Sequence, residues 1–482
     1  MNRGLTYLLI LLLVCPGAIF AQDDFRKAFQ DFTNSSIATY SQYAEGADAE
    51  FARAIQEQWE RFQIYNGEER PARREPESAP VASTPVSGSR QIDIADSQVE
   101  YPVRWPAETA VPAPVSQTGD DLRKVRFSFY GTEVEADVPS AYGSFHPAGI
   151  KEKDVGAFWK RLGEGRYQAV VDCCLRYKSS LNMNDWAVFE WIAALARAVF
   201  PEDINGEQAV FTVFILNQVG LMSKVARVDD DIVCLFASMQ PIYARKFVEV
   251  GTYRFYLAGE NSPASSVYTY QFDAGTRLRP FDMRLKGALM TTSVPDWYAD
   301  RHSAALRTEL HLPMFSGLLD FYGSYPQVDV ALYAMAAPER AFAKALTSAA
   351  ADALVGKSEI ESLNVLLNFL QLDFDYQTDN TQFGYERPFF CEENFRYPYN
   401  DCEDRAVLFS YLVRELLGLD CILLDYTGHI DCAVRTNQAV TGNYVRRGND
   451  RYYVCDPTYI GSVIGMSSID SRTRPDKVWI LE

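Results

Sequence analysis

Hydrophobic positions recur along this chain in two rhythms. Between Lys153 and Phe200 they fall at steps of three and four, which predicts helices over Lys153–Leu162, Gln168–Tyr177 and Asp185–Phe200. Strict alternation in Phe127–Tyr130 and Val134–Val138, parted by Gly131-Thr132, predicts a hairpin. The same alternation marks a strand at Val267–Phe272. Helical spacing returns over about 326–354 and 358–372.

A further helix starts near Cys402. Asp401 suits an N-cap, Asp404 completes a capping box, and Gly418 follows the last apolar position as a stop. Strands are expected at Ile422–Tyr426, Ile430–Arg435 and Arg451–Val454. This order is echoed upstream. A helix opens at Glu207 and runs to Gly220, followed by strands at Val225–Val228, Ile232–Ala237 and Tyr253–Leu257. The echo suggests that the middle region is a degenerate copy of the C-terminal unit. Aligning Gly220 with Gly418 sets Ile204 opposite Cys402 and Asp231 opposite His429, so the middle copy has neither residue.

The N-terminal part differs. Residues 1–21 read as a secretory signal, with Arg3, the apolar run Leu5–Val14 and Ala21 at the cleavage position. Val14 before Cys15 is bulky for a lipoprotein signal. An exported protein, periplasmic or extracellular, with no integral membrane span after cleavage, is the expectation. Residues 22–66 carry aromatics at helical spacing, from Phe25 to Trp59, Phe62 and Tyr65, and read as amphipathic helices able to hold a protein partner. Residues 67–119 read as a Pro-rich linker, 120–345 as a middle α+β domain and 346–482 as the C-terminal domain. The fold class is therefore α+β.

Charge narrows the partners. A net charge of −18 without a basic run argues against nucleic acid. The four histidines do not pair with cysteines at zinc-site spacing, so no metal and no cofactor is called for. The adjacent Cys173 and Cys174 do not suggest a small disulfide scaffold, and Cys234, Cys421 and Cys432 sit in apolar runs as buried thiols.

The chemistry gathers at three places. Cys402 stands at a helix start, where free N–H groups and the helix dipole favour a thiolate. A thiolate nucleophile needs an imidazole and a group to orient it. Downstream come Gly428-His429 and then Cys455-Asp456-Pro457-Thr458. Asp-Cys-Glu-Asp-Arg-Ala opening a helix, then Gly-His on a strand, then Asp-Pro-Thr on the next resembles the transglutaminase-like core of the papain-like fold. Phe374-Asp375-Tyr376, Phe383–Glu386 and Pro388–Glu393 upstream fit the same pattern, and Asn400 replaces the glycine often found there. The resemblance implies Cys402 as nucleophile, His429 as base and Asp456 as its orienting acid. Asp431, two residues after His429 and on the same side of a strand, is a rival for the last role. The implied activity is hydrolysis of, or acyl transfer from, peptide or side-chain amides of a protein or peptide substrate. A non-catalytic binding or scaffold protein with a vestigial triad is the alternative, and a cell-wall peptide amidase a weaker one.

Overall fold

A computed structural model describes residues 51–68, 76–83, 88–101, 121–259, 266–271 and 278–481. Residues 1–21, read above as a secretory signal, and most of the N-terminal aromatic segment lie outside the described residues. The class is α+β, as expected. Residues 51–56 are helical, but the aromatic run then turns into strand β1 (Glu60–Gln63). Trp59, Phe62 and Tyr65 therefore do not continue a helical stripe. β1 pairs with a sheet edge, setting Phe62 opposite Val267, and that pairing overrides the helical spacing.

Two short strands follow, β2 (Arg90–Ile92) and β3 (Val99–Glu100). The hairpin expected near Gly131 is β4 (Leu122–Phe129) with β5 (Thr132–Pro139). Helices Glu152–Gly163, Gln168–Ser180, Asp185–Val199 and Glu207–Gln218 come next. They lead into β6 (Ser223–Val228), β7 (Asp231–Ala237), β8 (Phe247–Val250), β9 (Tyr253–Leu257) and β10 (Ser266–Thr269). β11 (Trp297–Ser303) and β12 (Thr308–Met314) form a separate hairpin.

The helix expected over 326–354 is two helices, Val330–Met335 and Arg340–Leu354, preceded by a third at Ser316–Ser324. Pro338 interrupts the run, and the Glu339 side chain recaps the chain by accepting from the N–H groups of Ala341 and Phe342. Helix Glu359–Leu372 precedes β13 (Asp375–Tyr376), β14 (Tyr399–Asn400) and helix Cys402–Leu417. The chain ends in β15 (Cys421–Tyr426), β16 (His429–Arg435), β17 (Asn443–Arg447), β18 (Asp450–Cys455) and β19 (Lys477–Ile480).

Two sheets dominate, and their strands connect alike. The first runs β1-β10-β6-β7-β9-β8 and the second β3-β19-β15-β16-β18-β17-β2. In each, five strands, β10-β6-β7-β9-β8 and β19-β15-β16-β18-β17, pair antiparallel in the same order of connection, with one helix packed across the two strands that follow it. The two-residue turns also match, since Val228 pairs with Asp231 as Tyr426 pairs with His429.

Each sheet is joined edge to edge by the segment before residue 102. In the first, β1 pairs with β10 while Tyr65 bridges to Phe247 on β8. In the second, β2 adds to β17 and β3 to β19. Ile92, Ile94 and Val99 close a small apolar core with Ile422, Leu424, Tyr426, Val445, Val454 and Val478. These straps satisfy sheet edges that would otherwise expose unpaired backbone groups. The segment 67–119 is thus not wholly a linker: its isolated apolar residues are edge strands, too short to show a period.

The boundary proposed at 345/346 falls inside helix Arg340–Leu354, whose apolar face shares one continuous core with helix Cys402–Leu417 and with both sheets. Burial of Val407, Leu408, Phe409, Leu412 and Val413 anchors that last helix, at about 1.5–3 kcal/mol for each large side chain.

Candidate active site

Helix Cys402–Leu417 begins and ends as its residues require. Asp401 and Asp404 form the capping box, and Gly418 turns the chain out at φ 62°. Asp404 Oδ1 also accepts from the Phe389 N–H, and its Oδ2 from the Asp401 N–H. Arg405 lies fully buried one turn in. Its Nε donates to Asn400 Oδ1 at 2.8 Å and a terminal nitrogen to the Phe374 carbonyl at 2.9 Å, tying the helix to β13 and β14.

Cys402 is 1% exposed, and its thiol donates to Glu403 Oε2 at 3.2 Å. Buried carboxyls crowd this helix start. Asp379, Asp401 and Glu403 bring oxygens within 4.8 Å of one another. Burial, then the neighbouring Asp404 and Glu403, pushes the Asp379 carboxyl up to about 10. Burial and Glu403 likewise raise Asp404 well above the carboxylate range.

β16 brings the histidine. Ile430, Cys432 and Val434 face the helix, and the Cys432 thiol donates to the Ala406 carbonyl at 3.4 Å. By alternation His429, Asp431 and Ala433 share the other face. There His429 Nε2 lies 3.0 Å from Asp431 Oδ1 and 3.1 Å from Asp456 Oδ2. Burial opposes the imidazolium, but Asp456 and Asp431 outweigh it and raise the ring's pKa well above the ordinary value. Burial favours the neutral Asp456, yet His429 and the Ser468 donors hold it well below the carboxylate range. Asp431 is pushed up to about 7 by burial and by Asp456.

The structure thus brings together His429 and Asp456, and with them Asp431, all three nearly or fully buried. Every hydrogen bond of the His429 ring among the described residues is made at Nε2, to Asp431, Asp456 and Ser468. A shallow cleft lies elsewhere, on the middle unit between Lys178, Asp185, Asp282 and Arg284. Ser467 and Ser468 escaped sequence reasoning, because two serines in a loop carry no periodic or motif signal.

Two buried trios place ligand-type atoms close enough for a metal ion: His429, Asp431 and Asp456, and Asp379, Asp401 and Glu403. The first fits a metal poorly, because its carboxylates are engaged by Ser467, Ser468 and the Thr458 and Tyr459 N–H groups. The eight cysteines among the described residues are all buried, and none of them is in a disulfide. No helix among the described residues is long and apolar enough to cross a membrane.

The middle unit differs at each position. Asp231 takes the place of His429 in the matching hairpin. The Ala258 N–H donates to the Cys234 carbonyl, and the next residue, Gly259, falls where Asp456 stands in the C-terminal unit. Its helix opens with the buried Glu207, paired to His146 Nδ1 at 2.9 Å.

The proton balance of these buried groups predicts a pH dependence of stability. Asp379, Asp404, Asp431, Glu392 (up to about 7, through burial) and His429 all have folded pKa values above their unfolded ones. Their contribution is fully present below the unfolded values, about 4 for the acids and 6.5 for the histidine, and is lost as pH rises through the folded ones. Asp456 has the opposite sign, its contribution being lost only in strong acid. The melting temperature is therefore expected to fall between pH 5 and pH 8 in scanning calorimetry; a rise over that window contradicts the assignment.

No family model, curated protein or solved structure matches the chain.

Proposed function

We propose that the chain is an exported cysteine enzyme of the transglutaminase-like type, acting on amide bonds of proteins or peptides. The reading is carried by a buried imidazole held at Nε2 by Asp456, on the strand packed against the helix that Cys402 opens. In this mechanism the Cys402 sulfur attacks the amide carbonyl and His429 carries the thiol proton to the leaving amine. Asp456 holds the ring, and water or an amine resolves the acyl-enzyme. In this reading the Cys402 N–H at the helix start donates to the oxyanion. The middle unit, with Asp231 and Gly259 at the corresponding positions, serves as a non-catalytic duplicate. The test is incubation with casein and a fluorescent primary amine. Peptide release marks hydrolysis and label incorporation marks transfer; neither, from folded protein between pH 5 and 9, defeats the reading.

A second reading has its own observation. The thiol is nearly fully buried and donates to the neighbouring Glu403 carboxylate. That arrangement suits a binding or scaffold protein whose cysteine is a structural element. A chain of this second kind gives neither peptide release nor label incorporation.

A further inference from the structure

His429 is held by more than the expected acid. Asp431 and Asp456 face one another across β16 and β18, one step beyond the Cys432–Cys455 pair, and both oxygens point at the same ring nitrogen. Two ionised carboxylates would repel a bare Nε2 lone pair, and Ser468 Oγ, 3.4 Å from the same nitrogen, already donates to Asp456, so the arrangement favours a proton on Nε2 shared between the two acids.

The loop after the 455–466 bridge holds the two acids in place from one side. Ser467 Oγ donates to Asp431 Oδ2 at 2.6 Å while accepting from the Ile469 N–H, so its own proton is directed at Asp431. Ser468 donates to Asp456 Oδ2 through both its N–H, at 2.9 Å, and its Oγ, at 2.8 Å. The remaining oxygen of Asp456 takes the N–H groups of Thr458 and Tyr459. Asp431, with fewer donors than Asp456, is thus also held in place, on the same atom of the same ring.

We propose that Asp431 is a second positioning carboxylate, which with Asp456 keeps Nε2 of His429 protonated in both charge states and confines proton exchange to Nδ1. The inference rests on His429 acting as the base of the site and deepens that reading by naming the atom that exchanges its proton. The other ionisable groups around the trio do not compete for Nε2. Tyr426 is held neutral by burial and by the two acids, and Arg405 acts on Asp456 only through space. Cys432 and Cys455 project from the opposite face of their strands, and burial keeps them protonated.

The test uses the full chain labelled with ¹⁵N-histidine and follows His429 by long-range ¹H–¹⁵N correlation from pH 5 to pH 10. Wild type should show Nε2 protonated throughout and Nδ1 titrating. Asp431→Asn should lower the ring's midpoint by at least one pH unit, a tenfold change in proton affinity, while the thermal transition remains cooperative. Ser467→Ala should move it in the same direction by less. A bare Nε2 in wild type, whether from the other tautomer or from binding of added Zn²⁺, overturns the proposal. So does an unchanged midpoint in Asp431→Asn. The readout needs no turnover. An inert Cys402 with the expected ring behaviour rejects the enzyme and keeps the positioning; turnover with an indifferent Asp431 does the reverse.

Discussion

Cys402→Ala should remove amide turnover altogether, a loss of about 10⁴-fold or more, because no second nucleophile shares the helix start. The fold should survive. The substitution deletes one sulfur from a fully packed position and frees Glu403 of one donor. Its cost is on the order of 1 kcal/mol, since it removes less than one methylene's worth of packing and one weak hydrogen bond. The capping box and the Arg405 ties to Asn400 and Phe374 are untouched. The measurement is the rate of peptide release or label incorporation for matched wild-type and variant protein, with circular dichroism as the check on folding. Activity within tenfold of wild type would place the chemistry elsewhere.

Asp456→Ala should be the most damaging single change in the C-terminal unit. Its carboxylate accepts from His429 Nε2, from the N–H groups of Thr458, Tyr459 and Ser468, and from Ser468 Oγ. Alanine leaves those donors facing a buried void and takes from the imidazolium the stronger of its two charge partners. Breaking a buried charged pair with unsatisfied donors left behind costs about 3–5 kcal/mol, enough to unfold a marginal unit at 37 °C. Asp431→Ala removes only two partners, the ring and Ser467 Oγ, and should cost less. Urea unfolding of the two variants ranks them. A larger loss from Asp431→Ala would mean that Asp456 is not the principal holder of the ring.

Much of this arrangement is legible in the residues. The helix at Cys402 is marked by its own caps, and the hairpin near residue 130 by Gly131. Short-range rules suffice there, because the determining atoms lie within four residues of one another. The parallel between the two sheets follows from apolar spacing alone, and the register places Asp231 opposite His429 as the glycine alignment does.

What stayed hidden depends on distant partners. β1, β2 and β3 exist because edges near Val267, Tyr444 and Val478 accept them, and nothing local to residues 60–63 or 90–100 reveals those edges. The break at Pro338 was visible but was overridden by the helical spacing on either side. At the site, a period of two correctly places Asp431 with His429. It cannot show that Cys432 is the residue turned to the helix, nor that the Cys402 thiol rests on Glu403. Those depend on how the helix packs against the sheet.

The central claim is that Cys402 and His429 work as one unit, and the rate of Cys402 alkylation against pH tests it most directly. Peptide mass spectrometry would follow that one residue in wild type and in His429→Ala. The account predicts fast modification below pH 7 in wild type, slowed at least tenfold by the substitution. Modification of Cys402 with the pH dependence of an ordinary thiol near 8.5, identical in both proteins, would contradict it.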